Sequence, residues 1–142
     1  RSSTINSKIN LLKHEDDIHI LGDENKIAQV FDNLIQNAAS FSKGNYFINI
    51  RIEKNLENVI ITVEDNGPGF SKGSLKKVFD RFYTDRPKNE KFGNHSGLGL
   101  SISKQIVEAH NGSIEALNRL NQKNECLGGS VKVTFPEEKI KF

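Results

Sequence analysis

The side chains whose types and spacing could do chemistry begin with two asparagines, Asn33 and Asn37. They are four residues apart, so both lie on one face of a predicted helix, where Lys26, Gln29 and Ser40 continue a polar stripe. Asparagine is a poor helix former, and nothing local offsets the cost of two in mid-helix. One interpretation is a solvated polar face. The other uses the amide carbonyl as a neutral, hard ligand for Mg²⁺, which binds substrate phosphates together with few protein oxygens.

An acidic residue followed by a glycine-rich turn is the second candidate. Asp65 ends a predicted buried strand, and Asn66, Gly67, Pro68 and Gly69 follow it. Asp-Asn-Gly is a common β-hairpin turn, which is one interpretation. Because Pro68 and Gly69 make the turn longer, rigid and small, the alternative is a slot that a flat ligand can approach. A carboxylate at its floor only accepts hydrogen bonds, so it would take the exocyclic amine of adenine and reject the carbonyl of guanine.

A third candidate is the run of residues 96–100 (Ser-Gly-Leu-Gly-Leu), which leads into a predicted helix. Glycines let backbone N–H groups approach a phosphate, and the helix N-terminus adds a favourable dipole. Such entrances are also often only tight turns. Arg81 and Arg86 flank the loop that would cover a triphosphate. The sequence has no Walker-type Gly-Lys-Ser/Thr segment, so it does not predict a P-loop protein.

Hydrophobic periodicity predicts the elements that must position these groups. A helix is predicted over 23–41 with Asp23 as its N-cap, and another over 99–110, stopped by Asn111 and Gly112. Alternation predicts half-buried strands at 48–52 and 59–63, joined by a turn at 55–58. The remaining predictions are strands at 9–12, 18–21, 113–117 and 130–135, a short helix at 74–82 and a loop at 84–95. Strict strand–helix alternation is lacking, so the predicted class is α+β, with one sheet covered on a single face by helices.

Composition narrows the function classes. The 142 residues indicate one domain, with 35% hydrophobic and 27% charged residues. A net charge of +2 is too weak to indicate nucleic acid or direct membrane contact. No apolar run approaches the length of about 18 residues that crosses a bilayer, and no signal-peptide pattern occurs. The single cysteine, Cys126, excludes an internal disulfide, is typical of a reducing compartment and is expected to be a structural or incidental thiol.

Four motifs in this order resemble the catalytic, ATP-binding domain of bacterial two-component sensor histidine kinases, within the GHKL ATPase/kinase superfamily. Residues 33–38 (Asn-Leu-Ile-Gln-Asn-Ala) are similar to the family's asparagine box, and residues 65–69 to its first glycine box. Residues 78–83 (Val-Phe-Asp-Arg-Phe-Tyr) are similar to its phenylalanine box, and residues 93–112 to its second glycine box and helix. The resemblance runs from about Leu21 to Phe135. Residues 39–42 (Ala-Ser-Phe-Ser) and 82–87 (Phe-Tyr-Thr-Asp-Arg-Pro) are similar to the ChvG/ExoS type of kinase.

The resemblance implies a two-layer α/β sandwich, the Bergerat ATP-binding fold, with a mixed, mostly antiparallel sheet of about five strands covered on one face by about three helices. It implies that Asn37 carries Mg²⁺ with Asn33 in support, and that Asp65 reads adenine. The other residues that it implies for ATP binding are Gly67, Gly69, Phe41, Arg81, Arg86, Ser96, Gly97, Leu98, Gly99 and Leu100. Many relatives have Lys then Tyr where this chain has Ser40 and Phe41. Adenine stacking would then fall to Phe41 or be absent, and either nucleotide affinity is lower or Arg86 substitutes for the charge.

The implied activity is donation of the γ-phosphate of Mg·ATP to a histidine on a separate phosphoacceptor domain. Hydrolysing members of the superfamily carry Glu at the position of Asn33, whose amide cannot act as a base, so transfer is favoured over hydrolysis. None of the four histidines lies in a His-Glu-x-x-x-Pro helix. We therefore expect a linker tail at 1–7 and the catalytic domain at 8–142, with the phosphoacceptor and sensor domains elsewhere.

The resemblance also implies the partners and setting. These are the protein's own dimerisation and phosphoacceptor domain, a response regulator reached indirectly, a homodimeric full-length protein, and a cytoplasmic position in an inner-membrane sensor. Two other function classes stay open. One is a stand-alone ATP-driven switch of the GHKL kind. The other is a degenerate module that only docks to partners, against which the intact Asp65 turn and both glycine segments argue.

Overall fold

The computed structural model describes residues 8–13, 18–41, 47–71, 73–80 and 99–138, with the backbone alone for 8–13 and for Phe41. Its elements are β1 (Lys8–Lys13), α1 (Glu24–Phe41), β2 (Phe47–Lys54), β3 (Asn58–Asp65), α2 (Gly99–Ala109), β4 (Ser113–Leu120) and β5 (Cys126–Pro136). The strands form one sheet in the order β1-β2-β3-β5-β4. β1 pairs with β2 in parallel, and the remaining three pairs of neighbouring strands are antiparallel. The predicted α+β class and the five-stranded mixed sheet are confirmed.

One face of the sheet carries the core. In β3 every second residue is buried, namely Val59, Ile61, Val63 and Asp65. The helices supply the second layer with the buried side chains Val30, Leu34, Ala38, Ile106 and Val107. The opposite face of the sheet is polar and carries ion pairs between Arg51 and Glu64 at 3.6 Å and between Lys132 and Glu115 at 3.9 Å. Both helices therefore cover the same face, and Asp65 points into the layer between them and the sheet.

The start of α1 is fixed by the side chain of Asp23. Its Oδ1 atom accepts the backbone N–H groups of Asn25 at 2.9 Å and Lys26 at 3.1 Å. These donors would otherwise lack partners in the first helical turn. The predicted N-cap is confirmed. The hydrophobic spacing then places Val30, Leu34 and other apolar residues of α1 against the sheet.

The end of α2 is tied to the start of α1 by His110. Its Nε2 atom accepts the backbone N–H of Asp23 at 3.0 Å, so Nδ1 holds the proton and donates it to the carbonyl of Ile106 at 2.8 Å. The ring lies edge-on to Phe135, with centroids 6.3 Å apart. Asn111 adopts a left-handed conformation with φ of 65°, as the predicted helix stop requires.

Two predicted elements differ in the structure. Residues 18–21 form no strand. The helix predicted over 74–82 is a series of turns in its described part, so the described residues contain two helices rather than three. The N–H groups of Lys77 and Asp80 bond carbonyls three residues earlier, and the Ser74 hydroxyl bonds the carbonyl of Ser71 at 2.8 Å. Such side-chain bonds compete with helix formation. The apolar spacing still identified buried residues, because Val78 is 4% exposed and Leu75 packs against the core.

The last two strands are longer than predicted. They pair from Ser113 with Thr134 to Leu120 with Cys126, with a register shift between Arg119 and Leu120. Among the described residues, no helix is both long enough and apolar enough to cross a membrane.

Candidate functional site

The carboxylate of Asp65 is buried at the end of β3, with 4% of the residue exposed. Its Oδ1 atom accepts backbone N–H groups from Gly67 at 2.9 Å and from Gly129, on β5, at 3.1 Å. One donor thus comes from the local turn and the other from the neighbouring strand. Two such bonds stabilise the ionised form and fix its orientation. The described residues between 66 and 80 contain no strand, so the simple β-hairpin interpretation of Asp-Asn-Gly is wrong.

Residues 65–70, here called the glycine turn, pass close to the β4–β5 pair. Gly69 has φ of 82°, and a Cβ there would lie 2.6 Å from both Asn118 Oδ1 and Cys126 Sγ. No other residue fits this position without a shift. At the end of the turn, the side chain of Phe70 is buried against Gly129. The turn is therefore shaped by packing as well as by its own sequence.

Asn118 and Arg119 hold the glycine turn, although the sequence analysis did not single them out. The Asn118 side chain makes two hydrogen bonds to the backbone of Phe70. The Arg119 guanidinium donates to the carbonyl of Asp65 at 2.6 Å. The sequence carried no signal for them, because both residues follow the strand predicted at 113–117 and belong to none of the four motifs.

Asn33 joins α1 to the start of α2. Its Nδ2 atom donates to the carbonyl of Gly99 at 3.2 Å and to the hydroxyl of Ser103 at 3.3 Å. The Ser103 hydroxyl is fully buried and donates to the same carbonyl of Gly99 at 2.9 Å. A solvated polar face does not describe this asparagine. Asn37 lies one turn further along α1, is half-buried, and its backbone carbonyl accepts the Ser40 hydroxyl at 2.7 Å.

The two described residues of the second glycine segment lie at the start of α2. Gly99 is exposed, and a Cβ there would make only ordinary contact with Asn33 at 3.9 Å, so packing among the described residues does not require glycine. Leu100 is half-buried and packs against the core. Phe41 is the last residue of α1. The other predicted ligands, namely Arg81, Arg86, Ser96, Gly97 and Leu98, lie outside the described residues, as does the loop at 84–95.

Replacing Asn33 with Ala is expected to lower the free energy of unfolding by about 1 kcal/mol, because both side-chain hydrogen bonds to the start of α2 are lost. The better helix propensity of Ala offsets part of this loss. Urea denaturation measures the change. Gln29→Ala, on the exposed surface of the same helix, is the matched control and is expected to be neutral or slightly stabilising. Equal stability of Asn33→Ala and the wild type would show that this link contributes nothing.

The sequence matches one protein family over residues 22–139, described as histidine kinase-, DNA gyrase B-, and HSP90-like ATPase. It is 44% identical over 116 residues to sensor protein ChvG of Agrobacterium fabrum, covering 81% of this chain and 20% of ChvG. It is 41% identical over 121 residues to sensor protein kinase WalK of Staphylococcus aureus, covering 83% of this chain and 28% of WalK. The chain thus spans only a minor part of the length of these relatives.

Solved structures agree in fold. The mycobacterial sensor histidine kinase MprB superposes with a TM-score of 0.79 at 22% identity, over 95% of this chain and 85% of that one. The catalytic domain of histidine kinase ThkA superposes with a TM-score of 0.77 at 28% identity, over 93% of this chain and 81% of that one. The chain therefore belongs to the histidine kinase-, DNA gyrase B- and HSP90-like ATPases, as a catalytic domain of the sensor histidine kinase type.

Proposed function

We propose that this domain binds Mg·ATP and donates the γ-phosphate to a histidine on a separate phosphoacceptor domain. The observation that carries the proposal is the buried carboxylate of Asp65, held by the N–H groups of Gly67 and Gly129. A buried, fixed acceptor beside a turn that admits no side chain at Gly69 suits a flat base with an exocyclic amine. Guanine would present a carbonyl to the same acceptor, so the site would select adenine.

Asn37 is the residue that we assign to Mg²⁺. Its amide oxygen is a hard, neutral ligand, and Mg²⁺ typically takes one or two protein oxygens together with phosphates and water. The bound ion would neutralise charge on the phosphates during transfer. Asn33 supports this arrangement from a distance, because its Nδ2 donors are directed at the start of α2.

The start of α2 is the proposed phosphate side of the site. Backbone N–H groups in the first turn of a helix favour anions, and Gly99 leaves that approach open. Asn33 and Ser103 fix this end of α2 relative to α1, and therefore relative to Asn37. The neighbouring residues Ser96, Gly97 and Leu98 would extend the phosphate contacts, and Arg81 and Arg86 would add charge.

Transfer is favoured over hydrolysis because the amide of Asn33 cannot take a proton from water. In the transfer, an imidazole nitrogen of the acceptor attacks the γ-phosphorus. The bond from that phosphorus to the β–γ bridging oxygen breaks, and ADP leaves. His110 is a poor candidate for the acceptor, because both of its ring nitrogens are engaged. Nε2 accepts the backbone N–H of Asp23 at the start of α1, and Nδ1 donates to the carbonyl of Ile106 within α2.

We therefore assign the acceptor to a separate phosphoacceptor domain. The relatives support this setting, because they are sensor proteins several times the length of this chain. ThkA has been solved in complex with the response regulator TrrA. By analogy we assign this chain to the cytoplasmic part of a homodimeric membrane sensor whose phosphoryl group passes on to a response regulator.

Titration of Mg·ATP into this chain by calorimetry tests the proposal, with Mg·GTP as the matched control. We expect saturable binding of ATP, weaker binding of GTP, and no phosphohistidine on the chain itself. Addition of the phosphoacceptor domain should produce phosphohistidine on that partner. Rapid release of inorganic phosphate without a partner would favour an ATP-driven switch. No binding at millimolar ATP would overturn the proposal in favour of a docking module.

A further inference from the structure

The side chain of Asn118, near the end of β4, forms hydrogen bonds with Phe70, the last residue of the glycine turn. Its Oδ1 atom accepts the backbone N–H of Phe70 at 2.7 Å, and its Nδ2 atom donates to the carbonyl of Phe70 at 2.8 Å. The side-chain amide thus pairs with both backbone groups of one residue, as a neighbouring strand would. The two residues are 48 positions apart, so the contact depends on the fold of the sheet.

The next residue, Arg119, reaches the first residue of the same turn. Its Nη2 atom donates to the carbonyl of Asp65 at 2.6 Å and to the carbonyl of Leu127 at 3.2 Å. Successive side chains of a regular strand point to opposite faces. Asn118 and Arg119 pair with Gly129 and Gly128 in regular register, and the register shift follows between Arg119 and Leu120. Two adjacent residues therefore hold the two ends of one turn.

β5 lies so close to the glycine turn that the turn has no room to move toward the sheet. Gly128 has φ of 148°, and a Cβ there would collide with the carbonyl of Asp65. On the other side, Gly69 has no space for a Cβ beside Asn118. The turn is thus confined by glycine contacts and fastened by side-chain bonds, and both restraints act on the residues next to the Asp65 carboxylate.

We infer that Asn118 and Arg119 are positioning residues for base recognition, which act through the glycine turn and Asp65 without contacting the nucleotide. The inference rests on the proposed function of Asp65. A turn that loses these bonds still contains the carboxylate, but holds it in several orientations. Affinity for adenine nucleotides then falls, and so does discrimination against guanine, because both depend on a fixed acceptor.

Calorimetry with Asn118→Ala, using Mg·ATP and Mg·GTP in competition, tests the inference. Loss of two hydrogen bonds to the turn is expected to lower ATP affinity about tenfold and to reduce the ATP-to-GTP affinity ratio by a similar factor. Asn121→Ala is the matched control, because Asn121 also makes several side-chain bonds in the β4–β5 hairpin, to Lys123 and Glu125, but none to the glycine turn. The ATP-to-GTP affinity ratio of Asn121→Ala should stay within about twofold of the wild-type ratio. Its loss of thermal stability should be comparable to that of Asn118→Ala.

The outcomes separate the inference from the function on which it rests. A wild type that binds no ATP overturns both. A wild type that selects ATP, with Asn118→Ala selecting it equally well, overturns the inference alone, as does an equal loss of selectivity in Asn121→Ala. If Asn118→Ala does not fold, Arg119→Ala gives the same readout from the other end of the turn. Arg119→Lys, which keeps a donor, should then recover part of the lost selectivity.

Discussion

Asp65→Asn is expected to lower the affinity of this domain for Mg·ATP by about a hundredfold or more, because the charge-assisted hydrogen bond that we propose between this carboxylate and the base is lost. The Oδ1 atom of Asp65 accepts two backbone N–H groups, so the amide oxygen of the variant should take that position. The amide NH₂ would then occupy the place of the other carboxylate oxygen. A donor would face the donor amine of adenine, while the carbonyl of guanine would become an acceptable partner.

Calorimetry with both nucleotides measures this switch. Glu64→Gln makes the same chemical change one residue earlier on β3, but on the opposite face of the sheet, where Glu64 pairs with Arg51. This control should bind ATP as the wild type does. If Asp65→Asn keeps its preference for ATP, adenine is not read by this carboxylate.

Asn37→Ala is expected to lower the rate of transfer to the phosphoacceptor domain by roughly a hundredfold, because the amide ligand that we assign to Mg²⁺ is lost from the side of the phosphates. The concentration of Mg²⁺ needed for half-maximal transfer should rise. The fold should persist, since Ala is a better helix former than Asn. Phosphohistidine formed on the partner in a magnesium titration gives both quantities.

Gln36→Ala is the control for that experiment, because Gln36 is the exposed neighbour of Asn37 on α1. It should transfer phosphate at the wild-type rate and with the wild-type dependence on Mg²⁺. Transfer by Asn37→Ala at the wild-type rate would remove Asn37 from the magnesium role. A loss of transfer without any change in the magnesium dependence would place Asn37 in another role.

Local sequence patterns were enough to predict the helices and strands that bury a regularly spaced stripe of apolar side chains. Val30 and Leu34 on α1, and the alternating residues of β3, fall where their periodicity places them, because burial of such a stripe dominates the stability of an element. The caps at Asp23 and Asn111 were also predictable, since each depends on residues close in sequence. The segment around Ser74 was not, because its hydroxyl competes for a backbone carbonyl and its apolar residues reach the core from turns.

The candidate site was predictable only in part, because local sequence patterns do not reveal contacts between residues far apart in the chain. The motif that contains Asp65 and Gly69 is contiguous and could be recognised directly. The residues that hold it come from strands whose register is set by the whole sheet. Arg119 is 54 positions from Asp65, and Gly129 is 64 positions away. No local pattern carries such pairings, so these partners emerged only from the fold.

Because β3 is the central strand, with β1 and β2 on one side and β5 and β4 on the other, the strand that carries Asp65 is reached last when the sheet frays from its outer strands. Local opening of a protein proceeds from weakly protected segments, and interior strands open with close to the full free energy of unfolding. We therefore expect the acceptor that we assign to Asp65 to be formed in nearly every molecule before any ligand arrives. The proposed binding of the base should then carry little of the penalty that a rarely populated competent state would impose on the apparent dissociation constant.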